Sequence, residues 1–213
     1  MSIANTNEWF IFGPGSLPSK TINKIKKYAK KKWEGATVED NREDLSAEER
    51  KHGRVPDYRP NEKMRVSDVV WCNEQWLYDI VWPFMLRANE DAGWKYDIRA
   101  AESAQITRYK KGGFYSFHTD GLGDHMSAYD MPDNEFLHGR VRKLSMSVIL
   151  NDNFEGGAFE FASYSKEKCH ITPIEASVGS VIVFPSSMEH RVAPVTKGTR
   201  YSVVCWFLGP PFK

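Results

Sequence analysis

This chain is short of several things, and each shortage removes a class of protein. It has 3 cysteines in 213 residues, Cys72, Cys169 and Cys205, odd in number and widely spaced. None forms a CxxC, so neither a disulfide framework nor a zinc ribbon is encoded, and reduced thiols are expected. It has little excess charge: 29 basic against 28 acidic residues give a net charge of +1. Nothing in that balance calls for nucleic acid or an anionic membrane as partner. No apolar run approaches the ~18 residues of a membrane span. The opening MSIANTNEWF has neither a basic n-region nor an apolar h-region, so the expectation is a soluble, cytoplasmic protein without membrane association. No internal repeat or low-complexity segment occurs. What remains is enough chain for a single compact domain with a real core.

Taken in order, Trp9 to Phe12 is a short apolar run closed by Gly13-Pro14-Gly15, which predicts an edge strand and a turn. Beyond Ser19, the residues Ile22, Ile25, Ala29 and Trp33 fall on one helical stripe and the lysines fall on the other face. The lysine run reads as a solvated face. From Thr37 to Glu62 aliphatic residues almost vanish among Asp, Glu, Arg and Pro, and the segment reads as a mobile lid loop. Arg65-Val66-Ser67 predicts a short strand. Asn73 then offers a cap for a helix that turns Trp76, Leu77, Ile80, Val81, Phe84 and Ala88 inward, kinked or split at Pro83 and stopped at Gly93.

From Trp94 the texture becomes β. Runs rich in Tyr, Ile, Val, Phe and Ser recur at 104–109, 114–118, 144–150, 158–161, 169–173, 180–184, 190–195 and 200–207, with Gly- and Asn-containing turns between them. About eight short strands in this rhythm argue for a sandwich, barrel or jelly roll, with the front helices on one outer face. The segment Gly121 to Arg140 interrupts them and is expected to wall a substrate groove.

The chemistry concentrates in QITRYKKGGFYSFHTDG, residues 105–121. On a strand, His118 and Asp120 share a face and form two arms of a chelate. A later histidine, His190 in FPSSMEHRV, supplies a third arm, and two His with one carboxylate hold Fe(II) on one face while leaving three positions open. His125 and His138 are rival ligands, but strands hold ligands better than a loop rich in Gly, Asp and Asn. Ten residues after His190 comes Arg200, in TKGTRYSVVCWF. If the two lie on successive antiparallel strands joined at Lys197-Gly198, both side chains enter one barrel, and the guanidinium fork is suited to the far carboxylate of a chelating dicarboxylate.

The segments QITRYKKGGFYSFHTDG, RKLSMSVILNDNFEGGAFEF and GSVIVFPSSMEHRVAPVTKGTRYSVVCWF resemble the catalytic core of the 2-oxoglutarate- and Fe(II)-dependent dioxygenases, specifically the prolyl 4-hydroxylase branch. The resemblance covers roughly residues 94–208. It implies a double-stranded β-helix (jelly roll) core with N-terminal helices packed on one face, and one domain over 1–213 in which 1–93 gives helical support and the lid loop. It implies His118, Asp120 and His190 as iron ligands and Arg200 as partner of the 2-oxoglutarate C5 carboxylate. Tyr109 and Ser202 would assist in holding that co-substrate, and Tyr115, Arg142 and Trp206 match positions near the substrate. The implied cofactors are Fe(II), 2-oxoglutarate and O₂, with ascorbate as an accessory reductant. The implied partner is a proline-containing protein or peptide met by a monomer, and nucleic acid is not indicated. Collagen-type prolyl hydroxylases usually carry Lys where this chain has Arg200, which points away from collagen-like substrates. The alternatives are hydroxylation of another side chain or of a small molecule, and a non-catalytic metal-binding jelly roll.

Overall fold

A computed structural model of the chain describes residues 8–30, 32–39, 58–59, 61–121, 127–165 and 168–212. In chain order its elements are β1 (Phe10–Phe12), α1 (Ser19–Ala29), β2 (Glu34–Gly35), β3 (Val38–Glu39), β4 (Tyr58–Arg59), β5 (Arg65–Val66), β6 (Asp68–Cys72) and α2 (Gln75–Asp91). There follow β7 (Ala100–Ala101), β8 (Ala104–Tyr109), β9 (Phe114–His118), β10 (Val141–Ile149), β11 (Phe154–Gly156) and β12 (Phe159–Ser165). The chain ends with β13 (Lys168–Ile174), β14 (Val181–Pro185), β15 (His190–Val192), β16 (Val195–Gly198) and β17 (Arg200–Gly209).

The strands form two principal antiparallel sheets. The larger has eight strands in the order β1-β14-β10-β17-β8-β6-β2, with β7 also on β17. The smaller has five, in the order β13-β12-β15-β9-β5. Period-two alternation decides what lies between them. On β17, Val203, Cys205 and Phe207 join one core cluster with Ile22, Ile25 and Ala29 of α1 and Leu77, Val81, Met85 and Ala88 of α2. The alternate residues Arg200, Ser202, Val204 and Trp206 face a cavity shared with the small sheet. On one side β17 thus shares a core cluster with residues of α1 and α2, and on the other it faces the site. The expected edge placement of β1 holds, since it ends the order of its sheet and pairs only with β14 among the described strands.

Several local expectations are corrected. Helix α1 ends at Ala29, so Trp33 stands beyond it, and its N-cap is Pro18 without a side-chain cap. Residues 68–72, between the expected strand at 65–67 and the expected helix, form a further strand that lies between β2 and β8. Glu74, not Asn73, is the N-cap of α2, again without a side-chain hydrogen bond. Pro83 does not split the helix: α2 runs unbroken from Gln75 to Asp91. Pro83 and Asp79, one turn apart, both border an open cleft, so the carbonyl that Pro83 cannot engage lies on the solvent side. Gly93 does terminate the segment, at φ 78° and with its N–H donated to Glu90 O. Most of the proposed lid, Thr37 to Glu62, lies outside the described residues, within which Val38–Glu39 pairs with Tyr58–Arg59. No helix among the described residues is long and apolar enough to cross a membrane.

Candidate metal and co-substrate site

His118, Asp120 and His190 meet at one point, their candidate ligand atoms lying within 4.8 Å of one another. His118 ends β9 and His190 begins β15, and the two stand directly opposite in register. Their ring centres are 4.3 Å apart. Asp120 differs from expectation, because β9 stops at His118 and the carboxylate comes from the turn beyond. Two serines hold it there. The Asp120 N–H donates to Ser186 O at 2.9 Å, and Ser145 Oγ donates to Asp120 Oδ2 at 2.6 Å. Its oxygens stand 3.8 Å from His118 Nε2 and 3.6 Å from His190 Nε2.

The backbone selects the tautomers. His118 Nδ1 lies 2.8 Å from Ser116 O and His190 Nδ1 lies 2.9 Å from Met188 O. A carbonyl only accepts, so each Nδ1 carries the hydrogen and each Nε2 turns a lone pair toward Asp120. Burial pushes the His118 pKa down to about 3, helped by the neighbouring His190 and opposed by Asp120. Burial acts to raise the Asp120 pKa, yet the two histidines, Arg142 and the Ser145 hydroxyl together bring it below the usual value. His118 is thus a neutral imidazole and Asp120 a carboxylate, the forms in which each can hold a cation. Phe159, Phe161 and Phe184 surround His190, so this corner is dry.

Arg200 enters from the other sheet. It does not lie on a strand adjacent to His190, as the spacing had suggested: β15 belongs to the small sheet, β16 pairs with β11, and β17 is central in the large sheet. The two side chains still line one cavity of ≈ 30 Å³, shared with Tyr109, Tyr115, His118, Asp120 and Trp206. Convergence across the sandwich replaces the expected convergence along one sheet. Arg200 is 1% exposed; its Nη1 donates to Ser202 Oγ at 3.0 Å, and its Nη2 has no hydrogen-bond partner among the described residues. Burial lowers its pKa, with Tyr109 opposing. Tyr109 sits directly across from it in register, the guanidinium 5.6 Å from the ring centre. An orphaned N–H on a fully buried cation marks a place for an anion.

Of the remaining candidates, Tyr115 stacks on His118 at 3.6 Å. Arg142 lies 4.4 Å over the Trp206 ring, but its charge is committed to Glu102 through two short hydrogen bonds. Tyr129 also donates to Glu102, at 2.8 Å. The indole N–H of Trp206 is buried without a partner among the described residues. His138 stands apart, half-exposed, with Nδ1 accepting from Met131 N–H, and His125 lies outside the described residues. In the 121–140 loop, Asn134, Phe136 and Leu137 border a cleft of ≈ 1020 Å³ together with Trp71, Tyr78 and Trp82. Ser145, Ser186, Glu102 and Arg65 escaped the sequence reading. Ser145 and Ser147 did leave a signal, since polar residues alternating within the apolar LSMSVIL mark the face of a strand that looks into a site.

The fold and this donor set define the class. Residues 104–208 match the model of the 2OG-Fe(II) oxygenase superfamily. The curated relatives that it matches include PKHD-type hydroxylases. A PKHD-type hydroxylase of Xylella fastidiosa strain M12 is 34% identical over 105 residues, 48% of this chain and 42% of that protein. One from Thermosynechococcus vestitus is 35% identical over 107 residues, 47% of this chain and 40% of its own. The aligned part thus spans about two fifths of these relatives. Among solved structures, a prolyl hydroxylase of Trichoplax adhaerens in complex with a hypoxia inducible factor peptide fragment shares the fold at TM-score 0.63 and 18% identity, covering 95% of this chain and 84% of that one. A Pseudomonas putida prolyl-4-hydroxylase does so at TM-score 0.59 and 18% identity, covering 95% and 92%. The cofactors of the superfamily are Fe(II), 2-oxoglutarate and O₂. The three donors suit the ion and the orphaned Arg200 N–H suits a carboxylate, so the residues present fit the set.

Proposed function

We propose that this chain hydroxylates prolyl residues in a protein or peptide, with His118, Asp120 and His190 holding Fe(II) and Arg200 holding the C5 carboxylate of 2-oxoglutarate. The observation that carries the reading is the pairing of the buried His–Asp–His cluster with the unpartnered Nη2 of Arg200 in one cavity. Fe(II), when bound, supplies the coupling of O₂-driven decarboxylation of 2-oxoglutarate, to succinate and CO₂, with hydroxylation of an unactivated C–H bond.

The chain's own contribution is placement. Three donors on one side leave the opposite coordination face open. Ser116 O and Met188 O keep both imidazoles in the tautomer that presents Nε2, while Ser145 and Ser186 stop the Asp120 carboxylate from swinging away. Arg200, anchored by Ser202 and flanked by Tyr109, receives the distal carboxylate without having to leave another partner. The phenylalanines around His190 exclude water, which would otherwise compete at the open face. Trp206 lines the metal pocket, Arg142 lies over its ring, and Trp71 packs against it from the larger cleft, whose mouth beside Phe136 would take a peptide chain.

Two measurements test this. Anaerobic addition of Fe(II) and 2-oxoglutarate should produce a charge-transfer band near ~500 nm, which requires both to chelate at one centre. Mass spectrometry of proteins from cells with and without this chain should then find one added oxygen on prolyl residues. Addition of oxygen elsewhere, or succinate that never exceeds the substrate-free rate with prolyl peptides, refutes the prolyl assignment.

A further inference from the structure

The pocket contains a second buried guanidinium that neither the chelate nor the carboxylate anchor uses. Arg65 is 6% exposed and comes from β5, ahead of the matched segment 104–208. It lies opposite Tyr115 in the β5–β9 pairing. Its Nε donates to Ser67 Oγ at 2.8 Å and its Nη2 to Gln105 Oε1 at 2.6 Å. Gln105 belongs to β8 of the large sheet, so Arg65 ties the two sheets together beside the site. Its guanidinium carbon stands 4.6 Å from the centre of the Tyr115 ring. Tyr115 also stacks on His118, with ring centres 3.6 Å apart and planes at 16°. Guanidinium and imidazole thus both lie against the one phenol ring.

We infer that Arg65 is a positioning residue, pinning Tyr115 against His118 so that the imidazole plane is fixed before metal arrives. The inference rests on reading His118 as a ligand. The last torsion of a histidine is broad and roughly two-fold. The hydrogen bond to Ser116 O settles which nitrogen faces the metal, but it leaves the ring free to rock about that bond. A neighbouring ring at 3.6 Å removes that freedom, because any tilt brings atoms into repulsive contact. Tyr115 needs a backing of its own. Arg65 provides it with a flat group oriented by hydrogen bonds to two different residues, and a cation over an aromatic face is attracted to it. Lysine has no planar fork and cannot be oriented in this way.

The sign of the effect separates positioning from plain electrostatics. Removing a positive charge beside a cation site should tighten metal binding by Coulomb's law. Loss of a group that orients a ligand should weaken it, typically by about 10–100-fold. The test is Mn(II) binding to the full chain, followed by the electron paramagnetic resonance of free Mn(II), with near-ultraviolet circular dichroism to verify folding. Arg65→Met, Arg65→Lys and Tyr115→Leu should each weaken Mn(II) binding by about 10–100-fold. Tyr115→Phe, which keeps the stack, should bind as the unmodified chain does. The double variant Arg65→Met/Tyr115→Leu should be no weaker than the worse single one, because both changes interrupt one pathway. Tighter or unchanged binding in folded Arg65→Lys, or losses that multiply in the double variant, overturns the inference. Should the apolar variants not fold, Arg65→Lys against Tyr115→Phe decides alone. His118→Ala binding Mn(II) undiminished would instead overturn the ligand assignment, which is a distinguishable failure.

Discussion

Replacing Arg200 by methionine tests the site through two quantities that should move in opposite directions. The side chain is fully buried, its Nη2 has no partner among the described residues, and no described carboxylate forms an ion pair with it. Without ligand it is therefore an uncompensated buried charge, and an apolar side chain of similar length should leave the ligand-free protein as stable or more stable. With 2-oxoglutarate bound the same guanidinium completes a buried ion pair. Removing one partner of such a pair costs about 3–5 kcal/mol, because the other charge is left without compensation. At about 1.4 kcal/mol per tenfold, the dissociation constant of 2-oxoglutarate should rise by at least about 10²-fold and as much as roughly 10³-fold or more. Fe(II) affinity should change little, since Arg200 is not among the clustered donors. The assay is an anaerobic 2-oxoglutarate titration of the Fe(II)-loaded protein, run beside urea unfolding of the metal-free protein. A dissociation constant within threefold of the unmodified chain would refute the carboxylate role. So would a large loss of stability in the ligand-free state, because it would mean that the guanidinium already has its anion.

Three further outcomes are expected. Glu102→Gln leaves the Arg142 cation, otherwise held by two charge-assisted bonds in a part-buried setting, without its counter-charge; urea unfolding should register a loss of about 3 kcal/mol, largely recovered in Glu102→Leu/Arg142→Met. For Asp68, burial acts to raise the pKa, but hydrogen bonds from Lys110 and Arg108 outweigh it and hold the carboxyl below its usual 3.8. A depressed folded pKa means stability that is present above the unfolded value and lost as pH falls through the folded one. Asp68→Asn should therefore cost only about 0.2–1 kcal/mol near neutrality, as a partly exposed pair does, and chemical denaturation at a series of pH values should find the difference shrinking as pH falls past the unfolded pKa and vanishing below the folded one. Gly157 has φ +63° and an added Cβ would lie 3.1 Å from Arg200 Cδ. Gly157→Ala should lower stability by about 1 kcal/mol from backbone strain and also weaken 2-oxoglutarate binding, whereas an unchanged binding constant would show that Arg200 is not seated by that contact.

The β-rich part was legible because its signals are local and redundant: alternating apolar residues bounded by glycine turns locate β8, β9, β10, β14 and β17 to within a few residues. The clustering of His118, Asp120 and His190 was legible because a His-x-Asp pair closing one β run and a later histidine at the head of another can meet across paired strands. The sequence misled wherever a tertiary partner decides the outcome. Residues 68–72 carry no strand assignment in the sequence reading, and their strand is settled by pairing with β8. His190 and Arg200 are ten positions apart, and spacing alone could not reveal that β16 peels away to β11 and delivers Arg200 to the opposite sheet. Arg65 and Glu102 were invisible for a related reason. A charged residue in a polar stretch reads as solvated until its burial and its partners are known.

His118 and His190 stand on the small sheet, with Asp120 just beyond the end of β9, and Arg200 stands on the large one. Facing sheets sit ~10 Å apart at a separation set by interleaved core side chains rather than by loops. On the proposed assignment the thickness of the sandwich would work as a caliper on the keto acid, whose two ends would touch opposite jaws at once. Oxaloacetate, one methylene short, and 2-oxoadipate, one methylene long, should then both bind more weakly than 2-oxoglutarate. Selectivity for chain length is on this view a property of the whole core, and core substitutions that thin or thicken it should shift co-substrate preference without touching a single residue of the cavity.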